Sequence, residues 1–295
     1  MMLSRVIALL MLTGLGLAFP ADADQWSKTY TLAGKADLWM KTGDGNVRIE
    51  VGDRKDVEAR IETVGYTINK DFTLIERQVG DRVEIEAKFP ATSWNLGVGR
   101  RSLDFVVKVP REAKLDISTG DGHLRVASVK GEMRLHTGDG AIEGTGLDGR
   151  LVASSGDGRI NVAGRFDELD IHTGDGSVEA SVLPGSAVAT AWNVRTGDGS
   201  VTLRLPDGFK ANLSADTGDG HVTMNVPVTL SGRLNGSHVR GSLNGGGGPL
   251  TIHTGDGSIR LDRYSPGPLP LFPAGNWWNA AASSAWHRRQ VFLPS

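Results

Sequence analysis

The chain has 295 residues, room for one large or two ordinary domains, and its 39% apolar content excludes a disordered protein. Its 32 basic and 34 acidic residues are mixed along the chain, which excludes the one-signed field that grips nucleic acid or anionic lipid. The absence of cysteine excludes a disulfide framework, a thiolate metal site and a cysteine nucleophile, and the 40 glycines lack a Gly-X-Y period, so they are turn material rather than collagen.

In chain order, the first element is an address. Arg5 precedes an apolar run from Val6 to Phe19, too short to span a bilayer, and Ala21-Asp22-Ala23 puts small residues where signal peptidase reads. Residues 1–23 therefore read as a signal peptide cut near Ala23. The remainder is expected to be exported, periplasmic or extracellular, with no membrane span. Residues 24–110 carry strand-like runs, "VEARIETVG", "VEIEAKF" and "SLDFVVKVP", at irregular spacing around a glycine-rich break, "SWNLGVGRR". They read as an N-terminal β-rich cap that keeps an open sheet edge from polymerising.

Residues 111–264 are repetitive. A Thr-Gly-Asp-Gly turn begins at Thr42, Thr119, Thr137, Thr173, Thr196, Thr217 and Thr254, with a serine variant at Ser155. From Asp121 through Asp139 and Asp157 to Asp175 the aspartates are spaced by 18; the gaps then widen to 23 at Asp198, 21 at Asp219 and 37 at Asp256. The last gap is nearly two units, and "LNGSHVRG" at 234–241 reads as a decayed copy within it. Before each turn, apolar residues such as Leu115 and Ile117, or Met133 and Leu135, alternate with polar ones. After it, Leu124, Ile142, Ile160, Val178, Val201, Val222 and Ile259 take the same position. The same alternation surrounds Asp44, with Leu38 and Met40 before it and Val47 and Ile49 after. A period of two on both sides predicts half-buried strands about five residues long, too short for a membrane barrel.

Such a unit builds either a meander of hairpins or a β-solenoid in which the turn is a corner. Stacking is favoured because the turns recur in one form while the connecting segments "ASVKGE", "TGLDGR" and "AGRFDE" vary. The outward rows Arg125, Glu143, Asn161, Glu179 and Asp116, Arg134, Val152, Asp170 avoid adjacent like charges, as stacked strands require. The expected fold is all-β, a single-stranded β-helix with coils of about 18 residues. Residues 265–295 lack a period and hold five prolines, so they read as a flexible tail whose Trp277, Trp278 and Trp286 either dock on the body or on a partner or stand as lone exposed aromatics.

The short apolar leader, the irregular first strands, "VKVPREAKLDISTGDGHLRV" and the Thr-Gly-Asp-Gly strands together resemble the bacterial exported domain family of unknown function labelled putative adhesin, β-strand repeat-containing. The resemblance covers about residues 30–262. It implies a β-helical, non-enzymatic surface or envelope protein and supplies no catalytic residues.

The residues themselves offer several chemistries. Stacked about 4.8 Å apart, Asp121, Asp139, Asp157 and Asp175 would repel by about 1 kcal/mol per neighbouring pair. Either each carboxylate accepts N–H bonds within its own turn, the glycines supplying positive φ, or the row binds Ca²⁺. The first is favoured, because the calcium β-roll pattern is Gly-Gly-x-Gly-x-Asp. The threonines fall on the inward side, where hydroxyls can bond neighbouring backbone; an ice-binding face is disfavoured by charged outward rows. His136 and His172 lie two coils apart with Ser154 between them, too far to share one metal ion, and His253 is likewise read as a solvated outward residue. No Gly-x-Ser-x-Gly motif or converging carboxylate set marks a catalytic centre, and "GGGGPL" lacks the lysine of a phosphate loop. No cofactor, metal or catalytic residue is assigned. The expected activity is non-enzymatic binding of an envelope or extracellular glycan or protein, with no nucleic-acid partner. The alternatives are a polysaccharide lyase or hydrolase and a calcium-stabilised repeat protein.

Overall fold

The computed structural model describes residues 23–90, 101–226, 228–230 and 236–265. Among these every regular element is a strand, and all the strands join in one sheet. Alternation decides which side faces in: Ser102–Pro110 buries Leu103, Phe105, Val107 and Val109 and leaves the residues between them half-exposed.

The sheet folds into two ladders joined by the Thr-Gly-Asp-Gly turns. In the ladder before the turns, Arg82–Lys88, Ala36–Thr42, Glu112–Thr119 and Lys130–Thr137 pair in parallel, followed by the C-terminal parts of Ile142–Ser155 and Ile160–Thr173. Trp192–Thr196, Pro249–Thr254 and Ala211–Thr217 complete its parallel part. In the ladder after the turns, Ser102–Pro110, Asn46–Gly52 and Leu124–Ala127 lead into the N-terminal parts of the same two long strands. Val178–Val182, Val201–Leu205, Ile259–Arg263 and Val222–Met224 follow. Ala36–Gly52 is thus a rung of the stack, in register with the strands around Asp121.

Register stacks like on like. Leu38, Leu115, Met133, Leu151 and Leu169 form one buried column; Val47, Leu124, Ile142, Ile160, Val178, Val201 and Ile259 form another. Both columns belong to one core. A one-residue slip would turn every member of such a column to solvent, so burial fixes the register.

Three expectations are corrected. The coils do not stack in sequence order: Pro249–Thr254 inserts between Trp192–Thr196 and Ala211–Thr217, and Ile259–Arg263 inserts between Val201–Leu205 and Val222–Met224. Second, the described part of "LNGSHVRG" is no decayed coil. His238–Leu243 runs antiparallel to Ala211–Thr217 and to Val228–Leu230, a hairpin excursion before the chain returns to fill the skipped rung. Third, "TGLDGR" and "AGRFDE" are not loops between short strands. Ile142–Ser155 and Ile160–Thr173 are 14 residues each and pass from one ladder to the other. Register shifts at Gly144/Leu147 and Gly149/Arg150 let the ladder turn, with Gly146 and Gly149 at φ 61 and 126.

At the other end, antiparallel strands continue both ladders. Ala23–Thr31 pairs with Asp56–Val64, which pairs with Ser102–Pro110, and Thr73–Val79 pairs with Arg82–Lys88. Tyr30 Oη donates to Glu76 Oε2 at 3.0 Å and Lys28 Nζ donates to Glu76 Oε1 at 2.6 Å, tying the two edge strands together. Residues 1–22, the segment 91–100 and the tail tryptophans lie outside the described residues.

Candidate functional site

The repeated turns form a column of their own, and their chemistry is spent on stacking. Each motif hydroxyl is buried, between 0% and 4% exposed. From Thr119 onward each donates to the carbonyl of the second motif glycine in the rung below: Thr137 to Gly122 at 3.0 Å, Ser155 to Gly140 at 3.0 Å, Thr173 to Gly158 at 3.1 Å, and Thr217 to Gly257 at 2.7 Å. The same oxygens accept from their own turns, as Gly140 N to Thr137 Oγ1 at 3.2 Å and Gly158 N to Ser155 Oγ at 2.9 Å. Backbone bonds such as Gly138 N to Gly120 O, 2.6 Å, tighten the stack further.

The glycines are needed for a reason other than the expected one. Only Gly45 among the motif glycines has positive φ, at 103, so the turn conformation does not require glycine at the later copies. Proximity does. A Cβ on Gly140 would stand 2.0 Å from Gly122 O, and one on Gly158 1.8 Å from Gly140 O. The first glycine of each motif is less crowded, Gly138 reaching Gly120 O at 2.8 Å.

The aspartates also depart from expectation. Asp44 alone accepts a bond from its own turn, from Gly45 N at 2.6 Å, and receives a second from Tyr66 Oη at 3.1 Å. Among the described residues, the carboxylates of Asp121, Asp139, Asp157, Asp175, Asp198, Asp219 and Asp256 accept no hydrogen bond, and all are exposed. The reason is competition: the turn's N–H groups already bond to the rung below or to the motif hydroxyl. The result is an outward row of carboxylates. Among the described residues no group of three or more His, Asp or Glu could hold a metal ion.

The histidines are likewise separated. His136 Nδ1 lies 2.9 Å from Ser154 Oγ, the rung between it and His172. His253 sits between Arg195 and Asp216, and His238 Nδ1 is 3.0 Å from Asp216 Oδ1. Sequence spacing did not place His238 beside Asp216, because an antiparallel return leaves no periodic mark.

Charges on the outer faces are paired along the stack. Arg125 meets Glu143 at 2.8 Å and Arg150 meets Glu168 at 2.9 Å, while Arg82 and Lys114 both approach Asp37 Oδ2, at 3.5 and 3.2 Å. Arg48 opposite Arg125 is an exception to the alternation. At the bend of the long strands Arg165 holds Asp167 with two bonds, 2.6 and 2.7 Å, and also bonds Asp148. That bonding pushes the Asp167 carboxyl below its usual range and the guanidinium above. The Lys28 bond likewise lowers Glu76, and burial followed by the Glu76 bond raises Tyr30. These are structural pairs on the rim of the coils.

One outward group had no place in the sequence reading. Trp39 lies between the buried Leu38 and Met40, faces out of the ladder half-exposed, and is flanked across the strands by Glu84 and Asp116. Its signal was available in the alternation itself: an aromatic at an outward position. Among the described residues the large apolar side chains counted as exposed are Val64, Ile75 and Val79, and the latter two sit on the edge strand two strands from Trp39. No helix among the described residues is long and apolar enough to cross a membrane.

Residues 36–244 match the Toastrack DUF4097 family. No curated protein matches the chain. Solved structures similar to it include one described as a putative cell adhesion protein from Clostridium sporogenes, 14% identical with a TM-score of 0.43, over 82% of this chain and 100% of that one. A putative adhesin from Bacteroides fragilis is 10% identical with a TM-score of 0.44, over 81% and 97% of the two chains. A putative lipid binding protein from Parabacteroides distasonis is 12% identical with a TM-score of 0.38, over 82% and 97%. The family match spans well over half of the chain, which therefore belongs to the Toastrack DUF4097 family, a family of unknown function.

Proposed function

We propose that this is a non-enzymatic exported repeat protein whose outer faces bind an envelope or extracellular glycan or protein. Its coils of about 18 residues form the scaffold, residues 24–110, which include the rung Ala36–Gly52, close one end, and it works in the periplasm or outside the cell after cleavage near Ala23. The observation that carries the reading is where the repeated chemistry goes. Motif hydroxyls and backbone groups are consumed in holding one rung to the next, and the carboxylates are distributed one per rung rather than converging on a cleft. General acid–base cleavage of a glycosidic bond needs two carboxyl groups facing one bond at a fixed separation. A periodic scaffold instead offers rows of side chains at constant spacing, suited to a repetitive partner.

The test is to incubate the purified protein with isolated cell envelopes and a panel of polysaccharides, measuring both retention and new reducing ends or unsaturated products. Retention without turnover is expected. Product formation abolished by one carboxylate substitution that leaves the fold intact would replace this reading with an enzymatic one.

A further inference from the structure

We infer that the outer face around Trp39 is a binding platform for a linear, uncharged glycan chain; this deepens the binding reading above and rests on it. Four adjacent strands make the face: Thr73–Val79, Arg82–Lys88, Ala36–Thr42 and Glu112–Thr119. Parity puts Trp39 outward at its centre, and the indole is not part of the core. Ile75 and Val79, 45% and 54% exposed, point the same way from the edge strand two strands off, on either side of Arg77, which faces Glu84 and so lies in line with Trp39; two strand spacings and a two-residue offset put each about 12 Å from Trp39. That distance is a little over the length of a disaccharide unit, so a chain crossing the strands obliquely could lay one ring on the indole and another on either aliphatic side chain.

The surrounding polar groups decide the class of partner. The outward positions of these four strands hold five acids and five bases, a net charge of zero, which favours neither an anionic lipid nor a cationic peptide. Arg82 and Lys114 are engaged with Asp37, and Arg82 also holds Glu84 at 2.7 Å. Around the indole, the side chains of Asp116, Glu86, Lys41 and Ser118 make no hydrogen bond with any described residue, and the Asp116 carboxylate acts on the Arg82 guanidinium through space alone. They offer acceptors, donors and one hydroxyl that is both, on a flat surface with an aromatic face between them. A pyranose presents the complement: an apolar face of C–H groups and a rim of hydroxyls that both donate and accept. Tryptophan serves such contacts because its large rigid ring loses little conformational freedom on binding.

The experiment measures retention of the full chain on insoluble cellulose and chitin, and its affinity for cellohexaose and chitohexaose by calorimetry. Polylysine and phosphatidylglycerol vesicles serve as charged competitors for the same face. At least one neutral glycan is expected to bind. Trp39→Ala should weaken it tenfold or more, Trp39→Phe about threefold, and Asn161→Ala, outward on the other ladder, not at all. The melting temperatures should stay level, because Trp39 is outside the core. Binding unchanged by Trp39→Ala, no neutral glycan bound, or Trp39-dependent binding to polylysine or vesicles alone would each overturn the inference. Envelope retention that survives Trp39→Ala would overturn the platform while leaving the broader binding reading in place; wild-type protein that no envelope fraction retains would remove that broader reading.

Discussion

Gly140→Ala tests whether the repeated glycines answer to crowding or to backbone conformation. The added Cβ would lie 2.0 Å from Gly122 O and 2.8 Å from Thr137 Oγ1. A comfortable carbon–oxygen contact is more than 1 Å longer, and Gly122 O is backbone with no rotamer to escape into. The corner must open. Opening it breaks the 3.0 Å bond from Thr137 Oγ1 to Gly122 O, and that threonine is 0% exposed, so no water replaces the partner. It also strains the 2.6 Å bond from Gly138 N to Gly120 O. Two hydrogen bonds at about 1 kcal/mol each, one leaving a buried group unpaired, plus an overpacking cost of about 1–3 kcal/mol, give about 3–5 kcal/mol.

Two other glycines separate the causes. Gly208 has nothing within 4 Å of a would-be Cβ but has φ 74, so Gly208→Ala should cost about 1–2 kcal/mol of backbone strain. Gly236 has open space and no left-handed φ, so Gly236→Ala should fall within about 0.5 kcal/mol of wild type. In thermal unfolding, at about 2–4 °C per kcal/mol for a body this size, Gly140→Ala should melt roughly 10 °C low and Gly236→Ala near wild type. Equal losses for Gly140→Ala and Gly208→Ala would refute the crowding argument and restore a conformational one.

Three further outcomes are expected. In the hydroxyl column Ser155 stands where Thr137 and Thr173 flank it, so Ser155→Thr should add a buried methyl worth about 0.8 kcal/mol, while Thr173→Val should lose about 1–2 kcal/mol by stranding Gly158 O; urea midpoints measure both. Because Lys28 and Tyr30 hold the Glu76 carboxyl below its unfolded value, their contribution is present above the unfolded pKa and lost as pH falls through the folded one. Stability should therefore decline in acid, and Glu76→Gln should flatten that decline in pH-dependent unfolding curves. The unpaired Asp row should make the protein more stable as NaCl rises, and Asp139→Asn with Asp157→Asn should reduce that gain; a melting rise with millimolar Ca²⁺ beyond that of NaCl at matched ionic strength would instead favour a calcium-stabilised repeat.

Much of the coil was legible because burial imposes a period of two on both sides of a fixed turn. Leu115, Met133 and Leu151 declare one column without any knowledge of their neighbours, and a buried threonine before each turn declares its corner. What stayed hidden is what periodicity does not encode. The reason for glycine at position 140 depends on the distance to Gly122 in another coil, a quantity absent from local pattern. The bend inside Ile142–Ser155 looked like a loop because Gly146, Asp148 and Gly149 are turn residues in any context. Trp39 carries a signal of the opposite kind: it lies outside the repeated turn, a single aromatic at an outward position, whereas the carboxylates and histidines of the motif are ones that the stack merely spaces apart.

The skipped rung has a consequence for how the chain holds together. The family match ends at residue 244, which suggests a natural place to cut, yet Pro249–Thr254 and Ile259–Arg263 lie inside the stack with a parallel partner on either side. Leu250, Ile252, Ile259 and Leu261 are all 0% exposed. At about 1.5–3 kcal/mol for each buried side chain, their removal forfeits roughly 6–12 kcal/mol, comparable with the whole net stability of a typical domain. Had the coils stacked in sequence order, the same cut would only shorten one end. A chain of residues 24–244 should therefore lose amide protection from Trp192 through Leu213 in hydrogen exchange, not merely fray at its terminus. If Ala211–Thr217 instead dropped directly onto Trp192–Thr196, and the truncated chain kept full-length protection at Val194 and Leu213, the last strands would be an addition to a finished solenoid. Full protection would count against the interior rung as a requirement, since among the described residues only Pro249–Thr254 bridges those two strands in the native stack.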